Sequence, residues 1–166
     1  MNRIVVYQSK TGFTRQYAEW IGAALGCEAR PIKHISAQEL KQYEGVIFGG
    51  WIMGNMIMGL EMIRKEIPCN YIVFAVGISP KSDVLIREIK EQNKLGDTPF
   101  FYLEGGLCQE QLGVVKRMML KMVKKSVLKK ENKTEQDLFM ARALGTSFDH
   151  SDETFIQPLV DFALSE

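Results

Sequence analysis

The sequence predicts a doubly wound α/β fold: a five-stranded parallel sheet in the order 2-1-3-4-5, with helices on both faces. Three observations carry that prediction. Apolar runs of strand length recur five times along the 166 residues, with helical patterns between them, the alternation that builds a parallel sheet. The runs are continuous in Val, Ile and Phe rather than alternating with polar residues, as strands buried on both faces are. Short connections with right-handed crossovers then favour this strand order over others. The content of 46% hydrophobic and 25% charged residues is that of a globular protein.

Taken in order, Ile4–Tyr7 is the first strand, and a helix follows from Phe13 to Leu25, closed by Gly26. Ala29–Ile32 is a weaker second strand and Ala37–Gln42 a short helix. Gly45–Gly49 is the third strand, followed by a helix over Gly59–Ile67 that Pro68 stops. Tyr71–Val76 is the fourth, with a helix over Asp83–Leu95 stopped by Gly96. Phe100–Leu103 is the fifth, and the final helix runs from Asp152 to Leu164 with Ser151 as its cap. Gly105 to His150 is far longer than the usual connection of roughly 2–6 residues. Most of that stretch reads as one helix from Leu112 to about Lys130. On it Val115, Met118, Met119, Met122, Val123 and Val127 share a face, opposite Arg117, Lys121, Lys124 and Lys125. Without repeats or a Pro/Gly/Ser-rich linker, residues 1–166 are expected to form one domain carrying an insertion at about 107–150.

Charge is unevenly placed. Residues 112–133 hold eight basic side chains against one acidic, a local +7. The totals of 21 basic and 20 acidic leave 13 against 19 elsewhere, or −6. Such a split points to a partner surface. Cys27, Cys69 and Cys108 share no metal-ligand spacing and read as reduced thiols, and His34 and His150 stand alone. With no signal-peptide layout before Ile4 and no apolar run of membrane-spanning length, the expected location is cytoplasmic.

The loop after the first strand is where chemistry is concentrated. In "YQSKTGFTRQ" the chain places Ser9, Thr11, Gly12 and Thr14 between a strand and a helix. Ligands of open α/β sheets bind at the carboxyl ends of strands where strand order reverses, and strand one borders that point. A helix starting near Phe13 aims free N–H groups and its positive dipole end at the loop. Gly12 allows close backbone approach, and three hydroxyls exceed what one helix cap needs. The combination fits a phosphate monoester. Other phosphate chemistries are excluded by what is missing: no GxxxxGK[ST] for a nucleoside triphosphate, and no GxGxxG for a dinucleotide. A phospho-relay receiver would need carboxylates where this chain has Gln8-Ser9 and Gly49-Gly50.

Ser9-Lys10-Thr11-Gly12-Phe13-Thr14 resembles the [ST]-x-T-G-x-T phosphate loop of the flavodoxins, which holds the phosphate of FMN. "FGGWIMGN", residues 48–55, resembles the flavodoxin loop that packs one face of the isoalloxazine ring. The resemblance implies that Trp51, Ile52, Met53, Gly54 and Asn55 lie at the ring, and that Met53 or Trp51 covers it. In that family the adjoining peptide turns to bond flavin N5 in the semiquinone. Gly77, Ile78 and Ser79 are implied on the other side, without the tyrosine many flavodoxins place there. The long basic, methionine-containing segment after "YLEGGL" is closest to the menaquinone-dependent protoporphyrinogen dehydrogenase branch of the flavodoxin-like superfamily.

That resemblance implies an FMN-dependent oxidoreductase in which the cofactor carries the chemistry and no side chain acts as acid or base. A quinone or redox protein is the expected partner. Peripheral membrane contact through the basic helix is expected too, and a nucleic-acid partner is not. Three alternatives stand beside it: a soluble electron-carrier flavodoxin with no substrate of its own, a soluble flavin-dependent quinone reductase, and a cofactor-free binding protein.

Overall fold

A computed structural model describes residues 1–66, 71–111 and 113–166. Strands β1 (Arg3–Gln8), β2 (Glu28–Pro31), β3 (Gly45–Met53), β5 (Tyr71–Gly77) and β6 (Phe100–Glu104) form a parallel sheet in the order β2-β1-β3-β5-β6. This is the expected 2-1-3-4-5 order. It holds one addition, the two-residue strand β4 (Met56–Ile57), which folds back antiparallel on the end of β3.

Successive residues of each central strand feed opposite faces, because side chains alternate along a strand. Ile4, Val6, Val46, Phe48, Val73 and Ala75 pack with Leu40, Leu60, Ile63, Leu85 and Ile89 of helices α2 (Ala37–Leu40), α3 (Leu60–Glu66) and α4 (Asp83–Gln92). Val5, Tyr7, Ile47, Phe74, Val76 and Leu103 pack on the other side. There they meet Tyr17, Ile21, Leu159 and Val160 of α1 (Phe13–Leu25) and α7 (Gln157–Ser165). Both faces of the central strands are thus dry, which is why their buried stretches are apolar, while the edge strand β2 carries Glu28 and Arg30.

Several expectations are corrected at element ends. The second strand lies one residue earlier than expected. The last helix is preceded by a 3-10 turn over Glu153–Ile156 whose cap is Asp152, not Ser151. Pro158 marks the first turn of α7, a position where its missing N–H has no helical partner to lose. The expected stop at Ile67 and Pro68, the thiol of Cys69 and the expected helix start at Leu112 lie outside the described residues.

The long segment after β6 contains two helices where one was expected: α5 (Val114–Leu128) and α6 (Glu135–Ala143). A short antiparallel ribbon, β7 (Gly106–Leu107) with β8 (Phe148–Asp149), closes its base. The start of α6 is a capping box, in which the Thr134 hydroxyl accepts from Asp137 N–H while the Asp137 carboxylate accepts from Thr134 N–H. The same carboxylate receives the Lys130 ammonium at 2.7 Å, joining the end of α5 to the start of α6.

The Lys130 ammonium and then the Thr134 amide hold the Asp137 carboxyl at about 2, below its ordinary value of 3.8. A carboxyl depressed on folding stabilises the folded form above its unfolded pKa and loses that contribution as pH falls through the folded one. The α5–α6 pair is therefore expected to loosen between about pH 4 and pH 2. NMR titration of the Asp137 carboxyl carbon checks this; a midpoint at its ordinary value would show that the bridge does not persist in solution.

Candidate functional site

Helix α1 begins in a way that leaves an anion site open. Its N-cap is Gly12, at φ 100° and ψ −28°, and no side chain caps the helix. That φ lies in the left-handed region where a Cβ is strained, which accounts for glycine here. The first intrahelical bond runs from Gln16 N–H to the Gly12 carbonyl at 2.9 Å. The N–H groups of Phe13, Thr14 and Arg15 therefore have no intrahelical partner. Neither Ser9 nor Thr11 serves as the helix cap. Thr14 is buried in the first turn. Ser9 Oγ is the one buried side-chain nitrogen or oxygen among the described residues with no hydrogen-bond partner.

Such an orphan costs about 1–3 kcal/mol in a folded protein, and native structures keep few of them. Beside an uncapped helix end of 13 residues, the orphan, the open space around Gly12 and the hydroxyl-rich loop fit a phosphate group. The phosphate end of FMN is thus matched by residues of this chain.

The second group of residues is built differently from the expected loop. Trp51, Ile52 and Met53 continue strand β3, and the chain reverses through Gly54-Asn55 into β4. Both turn residues have positive φ, 56° and 63°, as a two-residue type I′ hairpin turn requires. Gly50 makes the reversal fit, since a Cβ there would lie 2.6 Å from Ile57 Cγ2 and from the Met58 carbonyl. The two ring-covering candidates have different neighbours. Trp51 is half-buried, with the Lys10 ammonium 5.8 Å from its ring centroid, so it is tied to the phosphate loop by a cation–π contact. Met53 stands 55% exposed near the hairpin tip.

What holds the hairpin is a residue that hydrophobic patterning does not single out. Asn93, buried after α4, accepts from Ile57 N–H at 2.8 Å and donates to the carbonyls of Asn55 at 2.7 Å and Ile89 at 2.8 Å. Gln92 Nε2 reaches the Gly54 carbonyl at 3.2 Å and Asn55 Nδ2 reaches Glu88 at 3.3 Å. The turn is thus clamped by consecutive turns of α4. An asparagine at a helix end signals a cap in sequence, and that is how it is easily passed over.

Gly77, Ile78 and Ser79 leave the end of β5, beside β3 in the sheet. Tyr102 Oη donates to the Ser79 carbonyl at 2.6 Å, and Glu104 Oε1 accepts from Lys81 N–H at 2.7 Å. Gly77 makes room for this, as a Cβ there would lie 2.5 Å from Tyr102 Oη. Burial above all pushes the Tyr102 phenol well up from its ordinary value, so it remains a donor. The insertion completes this side. Ser79 Oγ lies 3.8 Å from Met140 Sδ on α6, and Gly105 and Gly106 bring the ribbon against the Phe13 ring. The sheet therefore gathers residues 9–14, 51–55 and 77–79 at the carboxyl ends of three adjacent strands, β1, β3 and β5.

An uncapped helix end after β1, where strand order reverses, with loops of β3 and β5 beside it, defines the flavodoxin-like class of α/β proteins. The chain belongs to the flavodoxin domain family, whose profile matches residues 4–135. Among solved structures it is similar to a flavodoxin from the domain Archaea, with 18% identity, 88% of this chain and 100% of that one covered, and a TM-score of 0.47. It is also similar to the oxidised Flavodoxin 2 of Bacillus cereus, with 13% identity, coverage of 87% and 95%, and a TM-score of 0.43. A WrbA-like flavodoxin protein from Agrobacterium tumefaciens shares 16% identity, with coverage of 87% and 95% and a TM-score of 0.43. No curated protein matches the chain.

Proposed function

We propose that this protein binds FMN at the carboxyl ends of β1, β3 and β5 and acts as an oxidoreductase. It would pass reducing equivalents from an organic donor to a quinone or a redox protein, with protoporphyrinogen the donor favoured by the likeness of its insertion. The observation that carries the reading is the buried, unpartnered Ser9 hydroxyl beside the uncapped N-terminus of α1. When bound, FMN supplies the electron and hydride chemistry.

The chain's own residues bind, orient and shield. Ser9, Thr11 and Thr14 offer hydroxyls, and the first-turn N–H groups of α1 add oriented donors for an anion. Lys10 contributes positive charge, with its ammonium over the Trp51 ring. Trp51 and Met53 wall one side of the ring site and Gly77–Ser79 the other. Asn93, Tyr102 and Glu104 fix these two loops, and Met140 of α6 excludes water from the rim near Ser79. No side chain is assigned a proton-transfer role.

The test is an absorbance titration of the purified protein with FMN, followed by anaerobic stepwise reduction. A perturbed, retained flavin spectrum that passes directly to the fully reduced form supports the enzyme and justifies a protoporphyrinogen assay with menaquinone. Accumulation of a one-electron-reduced flavin favours a soluble electron carrier instead. No retained flavin refutes the proposal.

A further inference from the structure

Helix α5 exposes the face that an amphipathic helix ordinarily buries. Val115, Met118, Met119, Met122 and Val123 are between 45% and 71% exposed. At 3.6 residues per turn they form one continuous stripe. The half-buried side of α5 is the one carrying Leu120, Lys124 and Val127, and Lys124 Nζ lies over Gly145 just beyond α6. Lys124 thus belongs to the contact within the insertion, not to the outer surface as its place in the helical pattern implied. Lys121 and Lys125 are exposed along one edge of the stripe, and neither takes part in an ion pair among the described residues.

We propose that this face docks on an anionic lipid surface, with the methionine and valine side chains in the acyl boundary and Lys121 and Lys125 at the headgroups. Charge selects this occupant. A second copy meeting the same face about a dyad would bring two segments of +7 together, and like charges at an interface are unfavourable. A specific protein partner is anchored most often by buried aromatic residues or Arg; α5 contains no aromatic residue, and its one arginine, Arg117, lies on the side of the helix opposite the methionine stripe. Flexible unbranched methionines suit a fluid phase that has no fixed shape to match. Among the described residues no helix is long and apolar enough to cross a membrane, so the contact is peripheral.

The docking stands on α5 alone. Its meaning for the site rests on the flavin reading: α6, the other limb of the insertion, touches the Ser79 loop. A lipid-soluble acceptor would then reach the site from the bilayer side.

Flotation of the full chain with phosphatidylcholine vesicles, with and without phosphatidylglycerol, tests the proposal. Binding is expected with the anionic vesicles and is expected to fall as salt is raised. Lys121→Glu with Lys125→Glu should lower partitioning by at least about thirtyfold, the loss of two surface cations attracted to anionic lipid, with the repulsion of the two new carboxylates added to it. Met118→Gln with Met122→Gln should lower it by on the order of tenfold through lost burial. Failure of the wild-type chain to float with anionic vesicles at low salt overturns the proposal, as do variants that bind like wild type. So does a dimer, seen by sedimentation, that the methionine variants abolish. FMN titration of each protein keeps the two readings apart. Vesicle binding without FMN binding leaves the docking standing and removes the flavin function, and the reverse outcome removes the docking alone.

Discussion

Replacing Ser9 with alanine is expected to weaken FMN binding by about ten- to hundredfold, the effect of losing a hydrogen bond to a charged group. The same change should leave the cofactor-free protein as stable as the parent chain, or more stable by up to about 1 kcal/mol. The two effects have opposite signs for one reason. In the chain alone Ser9 Oγ is buried and bonded to nothing, so removing it relieves a desolvated polar atom. With a phosphate bound, the same hydroxyl becomes a donor to an anion. Ser9→Asp makes a sharper test: a carboxylate about 4 Å from the phosphate is repelled by about 4 kcal/mol at intermediate dielectric, on the order of a thousandfold in affinity. Isothermal titration with FMN and urea denaturation of the cofactor-free protein measure both quantities. A Ser9→Ala protein that binds FMN like wild type would detach the orphan hydroxyl from the phosphate and remove the main support of the assignment.

Asn93→Ala is expected to destabilise the protein by about 3 kcal/mol, since it strands Ile57 N–H and the Asn55 carbonyl together. The loss should be local first. The β3–β4 hairpin has only two residue pairs of its own, too few to hold itself in water, so the Asn93 side chain ties it to α4. Hydrogen exchange at Ile57 should accelerate well ahead of the amides of β1 or β5. FMN affinity should fall with it, because Trp51 and Met53 lose their support. Asn93→Asp is the companion variant: it keeps the acceptor for Ile57 N–H and loses the donors, so it should lie between alanine and wild type. A cost below about 1 kcal/mol for Asn93→Ala would mean that the hairpin is held by something else.

Much of the architecture is legible in the amino-acid sequence. Val, Ile and Phe runs mark four of the five parallel strands, β2 (Glu28–Pro31) having none. Gly26 marks the end of α1, whereas α4 ends at Gln92, ahead of the expected stop at Gly96. Those signals are local: the period of burial and the conformations glycine alone adopts readily are written into neighbouring residues. Two further local signals lie outside hydrophobic periodicity. Thr134-Glu135-Gln136-Asp137 is a capping-box pattern that announces α6. Gly54-Asn55 between apolar residues announces a tight hairpin. The long stretch after β6 misleads because its basic composition outweighs a break near Asn132.

The proposed phosphate end of the site is legible in the sequence. Strand, hydroxyls, glycine and helix start within a dozen residues, and helix geometry alone aims the N–H groups at the loop. The arrangement of the proposed ring end was decided by tertiary structure. Asn93, Tyr102, Glu104 and Met140 reach residues between 23 and 61 positions away, and no periodicity reports a contact of that span. The same holds for α5. Its amphipathic pattern is plain in sequence, but a pattern of period 3.6 is identical whether the apolar face is covered or left open. Only the packing of Leu120, Lys124 and Val127 toward the rest of the insertion turned the methionine face outward.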